Sequence, residues 1–120
     1  MMQDKKFKFE KFIIWEKSME LGELIDKISS KFPQKEIYNL NSQIRRACDS
    51  IALNIAEGSI VQSKPEFRKF LGYSIRSLAE VVTCLHKAKF RSYITENQFN
   101  GIYLDSFNLM NMMIAFRRNV

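Results

Sequence analysis

Apolar residues recur along most of this chain at alternating spacings of three and four, the spacing of one buried stripe on a helix. From about Ile13 to Lys31 the stripe is Ile14, Ser18, Leu21, Ile25, Ile28 and Phe32. Pro33 ends this first helix, because the residue before a proline avoids helical geometry. A second helix is predicted from about Lys35 to Gly58, with Ile37, Ile44, Cys48, Ile51 and Ile55 as its stripe. Gly58 is placed to terminate it. Ser63-Lys64-Pro65-Glu66 reads as a capping box with proline in the first turn, and it opens a third helix. Phe67, Leu71, Ser74, Leu78, Val81, Leu85 and Ala88 then keep a heptad seam, and Lys87, Lys89 and Arg91 sit where the helix dipole favours cations. Thr95-Glu96-Asn97-Gln98 is another capping box, followed by Phe99, Ile102, Ser106, Leu109, Met113 and Phe116.

No segment alternates with period two, so no sheet is expected. Four amphipathic helices with short links predict an all-α fold, an antiparallel up-down-up-down four-helix bundle. The link from Ser59 to Gln62 is short enough to make the second and third helices antiparallel neighbours. Residues 1–11 read as a charged, mobile tail and residues 12–120 as a single bundle domain.

Composition agrees with long elements and adds a constraint on compartment. Only four Gly and two Pro interrupt 120 residues, and ten Phe with six Met suit an adaptable helical core. Cys48 and Cys84 lie inside apolar helical patterns, away from any metal-binding spacing, and read as buried thiols in a reducing compartment. The chain opens without the apolar stretch of a secretory signal, and no apolar run reaches the ~18 residues of a membrane span. The expected location is the cytoplasm.

Net charge is +6, and it is uneven: residues 61–120 carry nine Lys and Arg against four Asp and Glu. A basic balance favours an acidic partner such as nucleic acid or an acidic protein face. Lys64, Arg68, Lys69 and Arg76 decorate the third helix, and Arg117 and Arg118 end the fourth. Such faces can neutralise phosphates without reading sequence, and they can equally serve solubility and dipole compensation. Arg45, Arg68, Lys69 and Arg76 are the candidate phosphate contacts. No aromatic-basic motif of the RNA-recognition kind is present along the chain, so binding would be electrostatic and salt-sensitive.

The second helix carries a polar stripe beside its apolar one. Gln43, Arg46, Ser50, Asn54 and Glu57 fall on one line at about 100° per residue. Ser77 and Glu80 share a face of the third helix. This stripe is either a solvated helix face, a hydrogen-bonded network between helices or subunits with Arg46 answering Glu57 or Glu80, or a ligand site. Catalysis is not expected: there is no nucleophile elbow, Walker loop, dinucleotide fingerprint or zinc spacing. Carboxylate-bridged metal bundles need Glu-x-x-His pairs, whereas the single histidine, His86, does not follow a Glu by three and reads as a surface or interface residue. No cofactor and no metal are expected.

Phe32-Pro33-x-x-Glu36-x-Tyr38-x-Leu40-x-x-Gln43-x-Arg45-Arg46-Ala47-x-x-Ser50-Ile51-x-x-Asn54-Ile55-Ala56-Glu57-Gly58, with Glu66-Phe67-x-x-Phe70-Leu71 and Ser77-x-x-Glu80, carries a family resemblance. These residues resemble the four-helix-bundle proteins encoded within intervening sequences of bacterial 23S rRNA genes, some of which are grouped with ribosomal proteins because of that gene context. The match runs over about residues 12–117, and Ile14-Trp15 fits the family's start. The resemblance implies a left-handed bundle, a ring-like homopentamer and no enzymatic activity. Relatives include the accessory protein of diversity-generating retroelements, a basic pentamer that binds nucleic acid and a reverse transcriptase. Gln43, Arg46, Asn54, Glu57, Ser77 and Glu80 match the family pattern and are expected to form a structural or assembly network. Two departures matter: Ile60-Val61 stands where the family often has Gly-Arg, and Arg76 stands where it has a small residue.

Together these readings give a non-enzymatic, homo-oligomeric helical scaffold that binds RNA or DNA electrostatically. The alternative is a protein-interaction module with no nucleic-acid role.

Overall fold

The computed structural model describes residues 5–120. Four helices build it: α1 (Ile13–Ser29), α2 (Leu40–Ser59), α3 (Lys64–Phe90) and α4 (Glu96–Arg118). There is no strand among the described residues. Each helix packs on the next in the chain, and α4 closes back on α1. α1 and α3, and α2 and α4, stand diagonally opposite, and α2 with α3 is the most closely packed pair. The fold is an antiparallel four-helix bundle.

The predicted seams form its core. All six positions of the first predicted stripe are buried, five in α1 and Phe32 just beyond it, as are all seven predicted on α3. Ile44, Ile51, Ile55, Leu71, Leu78, Val81 and Leu85 are wholly excluded from solvent. Burying one such side chain stabilises the fold by about 1.5–3 kcal/mol. Phe116 is half-buried and closes one end of the core, tilted on Phe12 at 4.9 Å and edge-on to Phe67 at 6.0 Å. Part of the stretch expected as a mobile tail lies on the bundle. Lys8–Lys11 makes a 3-10 turn, and the Phe9 ring sits 5.3 Å from Trp15. Met1–Asp4 lie outside the described residues.

Two expectations for α2 are corrected. It starts at Leu40, not Lys35, after a separate 3-10 turn over Gln34–Glu36. Ile37 therefore leaves the predicted stripe and is half exposed, and Leu40 takes the buried place. Gly58 does not end the helix. The helix runs on to Ser59, and no glycine has positive φ. What Gly58 provides is closeness: a Cβ there would lie 2.6 Å from Phe70 Cβ and 3.0 Å from the Phe67 ring. The missing side chain lets α3 approach α2 at the start of its run.

Both predicted caps lie at helix starts, but only the second is a full capping box: Ser63 caps α3 without a return bond from the Glu66 side chain. Ser63 Oγ accepts the Glu66 N–H at 3.2 Å, and Thr95 and Gln98 cap each other reciprocally. The α3–α4 turn uses a Schellman pattern, in which Tyr93 N–H donates to Ala88 C=O and Ser92 N–H to Lys89 C=O. Ser92 takes the left-handed conformation there, at φ 60°.

Urea unfolding tests the spacer role of Gly58. Gly58→Ala should destabilise the protein by about 1–3 kcal/mol, because the α2–α3 contact is overpacked. Gly101→Ala, where a Cβ would meet nothing within 4 Å, should instead stabilise α4 by up to about 1 kcal/mol.

Candidate functional site

The polar stripe of α2 meets α3 along one seam. Ser77 Oγ donates to Ser50 Oγ at 2.9 Å. Asn54 Nδ2 donates to the same hydroxyl and to the Ser50 carbonyl, both at 2.8 Å. One turn inward, Ser74 Oγ donates to the Ile51 carbonyl at 2.8 Å, wholly buried. Toward the α2 N-terminus, Gln43, Arg46 and Glu80 join Ser50 and Ser77 around a shallow depression of about 200 Å³. Five of the six predicted network residues are thus brought to one interhelical seam. Glu57 is not: it is exposed, two turns beyond Ser50.

The ion pairing expected within this stripe is absent. Among the described residues Arg46 pairs with neither Glu57 nor Glu80. Helix geometry accounts for the first, since eleven residues place Arg46 and Glu57 about 16 Å apart along the axis. Neutral hydroxyl and amide groups hold the seam instead.

The four candidate phosphate contacts do not form one cluster. Arg45 faces α1 and pairs with Asp26 at 2.7 Å, both side chains about half exposed. An exposed pair of this kind contributes little to stability, yet it offsets one positive charge. Arg68 is half-buried and donates to the Val120 main-chain oxygen at 2.9 Å, while Arg117 Nε donates to the Arg68 carbonyl at 2.8 Å. These two arginines fasten the end of α4 to α3. Lys69 and Arg76 are exposed on a common line of α3, and Arg76 lies over the Tyr73 ring at 5.0 Å. Neither is within salt-bridge distance of a described carboxylate.

Among the described residues one acid is buried, and sequence reasoning missed it. Glu36 is 5% exposed, in the 3-10 turn before α2. One carboxylate oxygen accepts from Asn39 Nδ2 at 3.0 Å and from the Leu40 N–H at 3.4 Å. The other accepts from Tyr93 Oη at 2.7 Å and Arg91 at 3.2 Å. The Tyr93 hydrogen bond does most to hold the Glu36 carboxyl below its ordinary range, with Leu40, Arg91 and Asn39 adding to it against the opposing effect of burial. Tyr93 is raised in return, chiefly by the same bond. The signal was the signature's own Glu36, three residues after a proline and beside the start of a helix.

The two cysteines are free and buried. Burial, with Asp49 adding to it, pushes the Cys48 thiol up to about 12, and burial also raises Cys84. Both stay protonated and unreactive at neutral pH. Among the described residues, no three His, Cys, Asp or Glu groups come together as a cation site. No helix among them is long and apolar enough to cross a membrane.

The family model described as 23S rRNA-intervening sequence protein matches residues 10–115. The chain belongs to this family. Its fold is similar to a crystal structure of a protein of unknown function from the S23 ribosomal protein family of Bacteroides thetaiotaomicron. That likeness has a TM-score of 0.81 at 24% identity and covers 88% of this chain and 98% of the other. Among curated proteins, none matches the chain. Within the family frame, the signature residues Ser50, Asn54 and Ser77 have a visible task, the α2–α3 seam, and Glu36 has another, the tether between α2 and the α3–α4 turn.

The Glu36 tether predicts a pH dependence. A depressed carboxyl contributes stability above its unfolded value and loses it as pH falls through the folded one. Glu36→Gln should lower the urea midpoint at neutral pH. The difference between variant and wild type should shrink as pH drops below the ordinary glutamate value of 4.5. A constant difference across that window would exclude the carboxylate as its source.

Proposed function

We propose that this protein is a non-enzymatic helical scaffold of the cytoplasm that assembles into a homopentamer and binds RNA or DNA through summed positive charge. The observation that carries the nucleic-acid part is the pair Lys69 and Arg76, exposed on one line of α3 and free of described carboxylate partners. They belong to the half of the chain that holds nearly all of its net charge. Arg45 and Arg68 contribute less, because Asp26 and the C-terminal main chain already engage them.

Assembly is supported by two uncovered apolar faces. Between α1 and α2 lies an open groove of about 540 Å³, with Trp15, Met19 and Leu53 in its lining and Glu23, Asp26 and Asp49 among its acids. Between α3 and α4 lies a smaller, almost wholly apolar one at Ala79, Val82, Tyr103, Phe107 and Met110. The order of the helices around the bundle puts these grooves on opposite sides. A contact of one with the other is head-to-tail, and head-to-tail contacts close into rings when the rotation allows.

The α1–α2 groove also favours a second reading, in which it takes an apolar helix of a different protein and the basic charge is incidental. Light scattering separates the two. The first reading expects a mass near five times the 14.2 kDa chain, reduced to monomer by Leu53→Asp with helicity retained. The second expects a monomer, and a partner that co-purifies after nuclease treatment.

Binding of a short RNA, followed by anisotropy across a salt series, tests the charge reading. Affinity should fall steeply with salt, and Lys69→Gln with Arg76→Gln should lower the slope of log K against log salt by roughly one and a half to two. No binding at low salt overturns it.

A further inference from the structure

The end of the bundle where α3 turns into α4 carries aromatic rings that the fold of the single chain does not use. Phe90, the last residue of α3, is 82% exposed. It follows buried Ala88 by two residues, about 200° around the helix and so on the side away from the core. Tyr38, in the connection between α1 and α2, is 93% exposed. The Glu36 tether fixes that connection to the α3–α4 turn through Tyr93 and Arg91. Both rings therefore stand at the same end of the molecule.

Phe90 is backed by an ordered aromatic cluster. His86 is exposed, lies 6.4 Å from the Phe90 ring, and meets Phe99 edge-on at 5.0 Å and Tyr103 at 6.1 Å. Phe99 and Tyr103 stack at 5.5 Å. Lys89 Nζ lies 4.4 Å from the centre of the Phe99 ring. Lys87 is exposed on the preceding turn. Glu36, the buried acid of this end, is already held by Arg91, Tyr93, Asn39 and Leu40. The surface combines open π-faces with cations, the combination that binds unpaired bases and their phosphates in single strands. An apolar protein partner would have little use for lysines interleaved with the rings at this spacing.

We infer that the α3–α4 end is a stacking platform for single-stranded nucleic acid, where Phe90 and Tyr38 receive unpaired bases while Lys87 and Lys89 hold the phosphates. The inference rests on the nucleic-acid reading above and adds a strand preference that charge alone does not give. No linear motif announces it, because the rings come from α3, α4 and the α1–α2 connection.

The test uses the full chain with a labelled oligouridylate of about twelve nucleotides, its deoxy counterpart, and an RNA duplex of similar length. Phe90→Ala should weaken single-strand binding by about fivefold or more and leave duplex binding unchanged. Phe90→Trp should restore it, and the new indole should lose fluorescence on binding, measured against wild type, whose one tryptophan is Trp15. The RNA and DNA arms tell which sugar is preferred. Equal binding of Phe90→Ala and wild type to single strands overturns the platform and leaves the charge reading standing. A change in solution mass on Phe90→Ala without a change in binding also overturns it, by making Phe90 a subunit contact. Failure of wild type to bind any probe at low salt overturns both readings. Phe90 is exposed, so its variants should keep the wild-type unfolding midpoint, and that check accompanies each titration.

Discussion

The close approach of α2 and α3 is the constraint on which the rest of this bundle depends. Two features produce it. At one end, Gly58 offers no Cβ where Phe70 would collide with it. At the middle, Ser74 donates to the Ile51 carbonyl, a bond that forms only when the two backbones are near. Ser50 and Ser77 then bridge the flank of the same seam. Small and hydroxyl-bearing residues do here what larger apolar ones could not, since any longer side chain would push the axes apart. With α2 and α3 fixed, the other two helices complete the bundle, and α4 is fastened to α3 at its far end by Arg68 and Arg117.

That constraint also accounts for the hydrogen bonds that tie the polar stripe of α2 to α3. Ser50, Asn54 and Ser77 are tied to one another there, and no buried side-chain polar atom among the described residues lacks a partner. Arg46, Gln43 and Glu80 line the outer edge of the seam, where the depression they surround is open to solvent. Their placement suits contacts with another chain or a ligand more than support of the core. Glu57 lies farther along α2 and takes no part in the seam.

Much of the fold was legible in the sequence because the seam positions obey one period and the caps have short, local signatures. Ser18, Ser74 and Ser106 are buried as the stripe required, their hydroxyls satisfied by helix carbonyls. The errors fell where local and tertiary signals compete. Ile37 continued the α2 period on paper, but Glu36 accepts the Leu40 N–H and starts the helix later. Gly58 looked like a terminator, and only the position of Phe70 shows that it is a spacer. Arg46 and Glu57 share a line on α2, yet eleven residues of rise keep them apart, and where Glu80 of α3 falls against Arg46 depends on how the two helices pack. The candidate cations were legible one by one, but not which of them were already engaged, because the partners of Arg45 and Arg68 come from distant parts of the chain.

The same distinction governs the exposed rings. A phenylalanine at the end of a helix reads from sequence as one more apolar residue, and ten of them invite the assumption that all are core. Most of those in the helices are at least half-buried; Phe90 and Phe107 are not. Phe107 lies in the apolar α3–α4 groove, where a second chain would cover it. Phe90 lies beyond that groove, among lysines and beside His86. An apolar neighbour would have to desolvate those ammonium groups to cover it, whereas a base with its phosphate would satisfy ring and cation together. The α3–α4 surface is thus divided into an apolar stretch around Phe107 and a cationic aromatic end around Phe90, and on the proposed reading the first would serve assembly and the second binding.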